Sequence, residues 1–171
     1  IQDFVKKREP HFAEVSLAEV ISESIGFMAA AARENRARLV ADLVAVPPVH
    51  ADRVLLEQVL INLIRNGVEA MNTTTRKGDV LTVSLRPASG GGAIIEVADQ
   101  GSGIDPKVDG RLFDAFTSTK TEGMGMGLNI CRSIVELHRG QLTHRPNPGG
   151  GTIFGVTLPA PEIITAPDFA Q

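Results

Sequence analysis

Residues 58–71 read QVLINLIRNGVEAM, and this stretch constrains the fold more than any other in the chain. At 3.6 residues per turn, Asn62, Asn66 and Glu69 fall within about 80° of Gln58, so the four form one polar stripe on a helix. Leu55, Leu56, Val59, Leu60, Ile61, Leu63 and Ile64 surround the stripe. A helix apolar over most of its girth has to be packed on several sides. A polar stripe is ordinarily a solvent face, but here little of the helix is left for water. The amides are therefore expected to face an internal cleft.

With 171 residues the chain is sized for one domain, with or without appendages, and can bury a proper core. Its hydrophobic fraction of 43% and charged fraction of 22% are those of an ordinary globular protein. A formal charge of −3 gives no electrostatic case for binding nucleic acid or an acidic membrane surface. No apolar run approaches the ~18 residues of a membrane helix, and no signal-peptide pattern is expected at the start. The single Cys131 excludes an internal disulfide and suits a reducing cytoplasm. It keeps helical step with Leu128, Ile134, Val135 and His138, which predicts a small core residue rather than a reactive thiol.

Along the chain, IQDFVKKRE at 1–9 puts Ile1, Phe4 and Val5 on one helical face and stops at Pro10. It begins without a cap, as the cut end of a longer helix would. SLAE at 16–19 is a capping box that opens a helix to about Arg36, with Leu17, Val20, Ile21, Ile25, Met28 and Ala32 on its buried face. A strand is expected over 38–46, ended by Pro47 and Pro48. Asp52 can cap the amide-striped helix, which should run to about Asn72. Strands near 79–86 and 93–99 flank the turn SGGG, and Asp99 shares an inward pleat face with Ile95 and Val97. Regularity then collapses over 101–127 around RLFDAF, and a loop of that length is usually functional. A helix over about 127–139 and strands near 141–145 and 151–158, joined by NPGGG, complete the order. This predicts an α+β two-layer sandwich, with a mixed, mostly antiparallel sheet and helices on one face.

Four local signals follow one another: the amide-striped helix, DQGSG at 99–103, GMGMGL at 123–128 and GGGT at 149–152. Each alone is weak, since loop glycines usually mean only turns. Their order and spacing resemble the ATP-binding catalytic domain of bacterial sensor histidine kinases, within the wider family of gyrase, MutL and heat-shock chaperone ATPases. NLIRNGVEAM resembles the N box, DQGSG the first glycine box, RLFDAFTSTK the F box, and GMGMGLNICRSIVELHRGQL the second glycine box with its helix. The resemblance covers about residues 16–159. It implies a Bergerat-type fold with ATP under a mobile lid, expected over residues 104–124.

The resemblance also implies roles. Asn66 matches the Mg²⁺ ligand, supplying an oxygen without adding negative charge beside the phosphates. Asn62 would support phosphate or metal-bound water, and the two amides are the catalytic candidates. Asp99 would accept from the adenine amino group, joined by the Thr152 hydroxyl. Gly101 and Gly103 would let the backbone pass close to the base. Gly123, Gly125, Met126, Gly127 and Leu128 would form the phosphate-binding helix start, where free N–H groups and the dipole favour anions. Lys120 either neutralises phosphate charge or is a solvated loop lysine. Phe113 and Phe116 either pin the lid or simply pack. Arg53 and Arg65 are read as surface residues outside the site.

Related ATPases carry a water-activating Glu where this chain has Asn62, and Glu69 does not replace it. The resemblance therefore implies a phosphate donor to a histidine rather than an ATPase motor. None of His11, His50, His138 and His144 has an acceptor setting, so the acceptor is expected on a separate dimerisation domain. The expected division is a stub of that domain with its linker at 1–12, the ATP-binding domain at 13–160 and a tail at 161–171. A response regulator downstream, a homodimeric parent and a cytoplasmic location, with the parent anchored or not in the inner membrane, belong to the same expectation. The alternatives weighed are a serine/threonine kinase of the same fold, such as an anti-sigma factor, and a non-enzymatic nucleotide- or partner-binding module.

Overall fold

Ser16 ends an extended segment and starts the first helix, its hydroxyl accepting the Glu19 N–H at 3.4 Å. The computed structural model describes residues 9–72, 79–114 and 124–161, with backbone alone at 124–126. Its elements are β1 (Ala13–Val15), α1 (Leu17–Glu34), β2 (Arg38–Leu43), β3 (Val49–Ala51), α2 (Arg53–Asn72), β4 (Val80–Pro87) and β5 (Ala93–Ala98). They continue with a short α3 (Pro106–Asp109), α4 (Met124–Leu137), β6 (Gln141–Pro146) and β7 (Thr152–Leu158).

Five strands form one sheet in the order β2-β4-β5-β7-β6. Only the β2–β4 pair is parallel, as a crossover through β3 and α2 requires; the other three pairs are antiparallel. Alternation decides the faces. In β4, Leu81, Val83 and Leu85 are fully buried while Thr82, Ser84 and Arg86 between them are half-buried. Register then aligns Leu85, Ile95, Val156 and Leu142 in one row across four strands. The helices α1, α2 and α4 pack on that inner face, and the core lies between the two layers. The opposite face carries ion pairs such as Arg145 with Glu96 and Arg86 with Asp42.

The expected two-layer sandwich is the fold, and several details differ. β2 stops at Leu43, three residues short of the expected end, and Val44 only continues its bonding to Leu85. β1 and β3, a separate antiparallel pair, had no sequence signal, because three residues are too few to show a period. On α1, Ser24 rather than Ile25 is buried, its hydroxyl donating to the Val20 carbonyl at 2.8 Å. α4 spans 124–137 rather than 127–139, so His138 lies just past its end. Of the expected lid, 104–114 is described and contains α3, capped by Asp105. The stub at 1–8, Phe116, Lys120, Gly123 and the tail from 162 lie outside the described residues.

Candidate functional site

Asp99 stands one residue beyond β5 and is 3% exposed. Its Oδ1 accepts the Gly101 N–H at 2.9 Å and the Thr152 N–H at 3.2 Å. Its own N–H donates to the Thr152 carbonyl, and its carbonyl accepts from the Asn147 side-chain amide at 2.7 Å. The β6–β7 turn thus wraps the aspartate. Gly151 makes this possible, because its φ is +101° and a Cβ there would lie 2.1 Å from the Asp99 carbonyl oxygen. Asn147 was not anticipated; its only signal was a turn-favouring residue in NPGGG.

On α2, Gly67 lies against the same aspartate: a Cβ there would meet Leu81 Cδ1 at 2.4 Å and Asp99 Cβ at 3.2 Å. The neighbouring Asn66 is half-buried, and its Oδ1 is fully buried with no hydrogen-bond partner among the described residues. An unpaired buried acceptor costs about 1–3 kcal/mol, so it marks a place where a ligand group belongs. A neutral amide oxygen suits a hard divalent cation that keeps most of its water.

Asn62, one turn earlier, is 8% exposed. Its Oδ1 accepts a long 3.4 Å contact from the Arg65 guanidinium, and its amide hydrogen-bonds the Cys131 sulfur. Cys131 is wholly buried, which pushes its thiol up to about 12; it is the inert core residue expected. Gln58 and Glu69 complete the stripe, both half-buried.

The first turn of α4 meets this helix. A Cβ on Gly127 would come within 3.8 Å of Asn62 Cγ. Gly125 and Gly127 are the second and fourth residues of α4, so their N–H groups lie in the turn that lacks intrahelical partners. Leu128 faces the core, and of Met126 only the backbone is described. Thr152 is buried beside Asp99. Gly103 has φ +80°, and a Cβ there would stand in ordinary contact with the Gly151 carbonyl oxygen at 3.8 Å, whereas the close neighbour of Gly101 is Ala70, 2.8 Å from where a Cβ would stand. The missing side chain at Gly101 therefore serves packing on α2. Phe113 lies with its ring centroid 5.6 Å from that of His144, and its ring lies under the Arg132 guanidinium at 5.8 Å. Arg53 pairs with Glu19, Glu23 and Glu57 away from these groups.

The structure thus gathers Asn62, Asn66, Asp99, Gly101, Gly127 and Thr152 around the C-terminal half of α2. Among the described residues no group of three or more His, Cys, Asp or Glu is placed to hold a metal ion, and no helix is long and apolar enough to cross a membrane.

The chain belongs to the family described as histidine kinase-, DNA gyrase B- and HSP90-like ATPases, whose model matches residues 51–162. Within it, the chain is similar to the C4-dicarboxylate transport sensor protein DctS of Rhodobacter capsulatus, 58% identical over 95% of this chain and 25% of that protein. It is also similar to the sensor protein FixL of Bradyrhizobium diazoefficiens, 41% identical over 94% of this chain and 32% of that protein. The chain therefore spans a quarter to a third of the length of these relatives. Among solved structures, the catalytic domain of the histidine kinase ThkA superposes with a TM-score of 0.77 at 28% identity, over 88% of this chain and 97% of that one. Full-length ShkA, in complex with AMPPNP, gives 0.77 at 25% identity over 89% of this chain and 32% of that one.

Proposed function

We propose that this chain is the ATP-binding catalytic domain of a sensor histidine kinase, presenting Mg-ATP to a histidine carried on a separate domain. The observation that carries the reading is the buried Asn66 Oδ1, which has no hydrogen-bond partner among the described residues and adjoins Gly67, the residue that packs on Asp99. When bound, Mg-ATP supplies the phosphoryl group, and the metal neutralises triphosphate charge. Asn66 would hold the Mg²⁺, and Asn62 would steady metal-bound water or phosphate. Asp99, with Thr152, would read the adenine amino group through an ionised carboxylate acceptor. The N–H groups of Gly125 and Gly127 would face the phosphates, and Lys120, Gly123 and Met126 would border them.

Hydrolysis is poorly served. A carboxamide at Asn62 cannot take a proton from water, and its oxygen is already turned toward Arg65. Nor do the chain's histidines suit an acceptor: His138 is buried with both ring nitrogens engaged, and His50 stacks on Phe12. The acceptor domain, a downstream response regulator, a dimeric parent and a cytoplasmic location for this domain belong to the same proposal. It is tested by incubating the chain with γ-labelled ATP, alone and with the acceptor-helix domain of its parent. The expected result is no label on the chain alone, slow phosphate release, and an acid-labile, base-stable phosphoryl group on the added domain. Strong labelling of the chain alone, or fast phosphate release, would overturn it.

A further inference from the structure

The helices α2 and α4 run antiparallel and are tied at three levels: Gly127 against Asn62, the Cys131 thiol on the Val59 carbonyl at 3.8 Å, and His138 at the start of α2. The third tie lies outside the nucleotide site. The Asp52 backbone N–H donates to His138 Nε2 at 3.0 Å, and His138 Nδ1 bonds the Ile134 carbonyl at 2.8 Å. One ring nitrogen must accept and the other donate, so the imidazole is neutral with its proton on Nδ1. Asp52 is itself a hub: Oδ1 accepts the Leu55 N–H at 3.1 Å, capping α2, and Oδ2 accepts the His11 N–H at 2.8 Å from the incoming chain. Both residues are buried, at 6% and 1% exposed, and the Phe12 ring centroid lies 5.0 Å from that of His138.

We propose that His138 is a positioning residue for the nucleotide site, holding the start of the amide-bearing α2 against the end of the glycine-opened α4 while neutral, and letting go when protonated. The inference rests on the nucleotide-binding reading of that site. Protonation places an N–H on Nε2 facing the Asp52 N–H, so donor meets donor and the tie is lost. Because α2 is one continuous 20-residue helix, a shift at its cap moves Asn62 and Asn66 relative to Gly127.

The groups facing the ring come from every element around it. The Asp52 carboxylate capping α2 favours the charged form, and His50 on β3 disfavours it. Arg139, next along the chain, shares with His138 an open cavity of about 620 Å³ whose far wall, Pro159 to Pro161, carries no ionisable group. From the incoming chain come His11, through its backbone, and the uncharged Phe12. Burial outweighs the pull of the Ile134 carbonyl and of Asp52, keeping the ring's pKa below the ordinary histidine value.

The test is calorimetric titration of ADP into the whole chain and into His138→Gln and His138→Leu, from about pH 7.5 down to about pH 5. Glutamine offers an acceptor oxygen that does not titrate, and titration of the phosphates is common to all three proteins. Relative to His138→Gln, the unaltered chain should lose about five- to tenfold in affinity at the acid end, as expected for one buried hydrogen bond. His138→Leu should bind weakly at every pH. Parallel pH profiles for the unaltered chain and His138→Gln, or full affinity in His138→Leu at neutral pH, would overturn the proposal. Failure of the unaltered chain to bind nucleotide would instead sink the functional reading. Hydrogen exchange at the Leu55 amide then decides the clamp itself: relative to the intrinsic exchange rate at each pH, acid should lower its protection with histidine at 138 and not with glutamine, and an equal loss of protection in both would refute it.

Discussion

Asn66, next in the chain to the Gly67 that packs on Asp99, has the opposite structural economy to that aspartate. The buried Oδ1 of Asn66 bonds nothing among the described residues, whereas Asp99 Oδ1 satisfies two backbone N–H groups. Replacing Asn66 with Ala should therefore leave the melting temperature unchanged or raise it, since an unpaired buried acceptor costs about 1–3 kcal/mol. The same variant should bind Mg-ATP much more weakly in calorimetry, with a smaller loss for ADP without magnesium. A clear drop in melting temperature with intact Mg-ATP binding would mean that the amide is structural.

Asp99→Asn keeps an oxygen for both backbone donors, so it should melt close to the parent. Asp99→Ala strands both and should cost on the order of 3 kcal/mol. Both should lose roughly ten- to a hundredfold in ATP affinity, the range for a charged hydrogen bond, and the preference for ATP over GTP should collapse with it. The residue types at these positions were legible in the sequence. What Asp99 bonds was not, because Asn147 and Thr152 lie 48 and 53 residues away.

At the scale of elements, the caps separate local from long-range stabilisation. Ser16 makes one exposed capping contact within its own helix, so Ser16→Ala should cost about 1 kcal/mol in denaturant unfolding. Asp52 caps α2 and also anchors the incoming chain at His11, in a buried setting. Asp52→Ala should cost about 2–4 kcal/mol, because it adds stranded buried donors to the loss of the cap. Similar costs for the two variants would argue that the His11 tie contributes nothing. The capping box SLAE announced the first helix from four consecutive residues. Asp52 was legible as a cap for the same local reason; its other partners were not. α4 begins at Met124 although glycines fill its first turn, since packing of Leu128, Cys131, Ile134 and Val135 on the core overrides their weak propensity.

For the molecule as a whole, acid stability should report on the joint between α2 and α4. Burial lowers the pKa of folded His138 below its unfolded value near 6.5, so the unfolded chain takes up the proton more readily. The stability contributed by the neutral ring is thus complete above the ordinary histidine pKa. It is lost as pH falls through that value toward the lowered one. Thermal unfolding of the parent should therefore weaken over that window more than that of His138→Gln; identical curves would show that the ring takes up its proton equally readily in the folded and unfolded chain. The sequence by itself determined what depends on contiguous residues: the amide stripe and its apolar surroundings, the alternating strands, the glycine turns, and hence the two-layer sandwich. Tertiary structure alone decided the β1–β3 pair, the burial of Ser24, the Gly101 contact with Ala70, and the His138 bond to Asp52 across 86 residues. Periodicity shows which face of an element is buried; which atom on that face meets which partner depends on how the elements dock, and no local pattern carries that information.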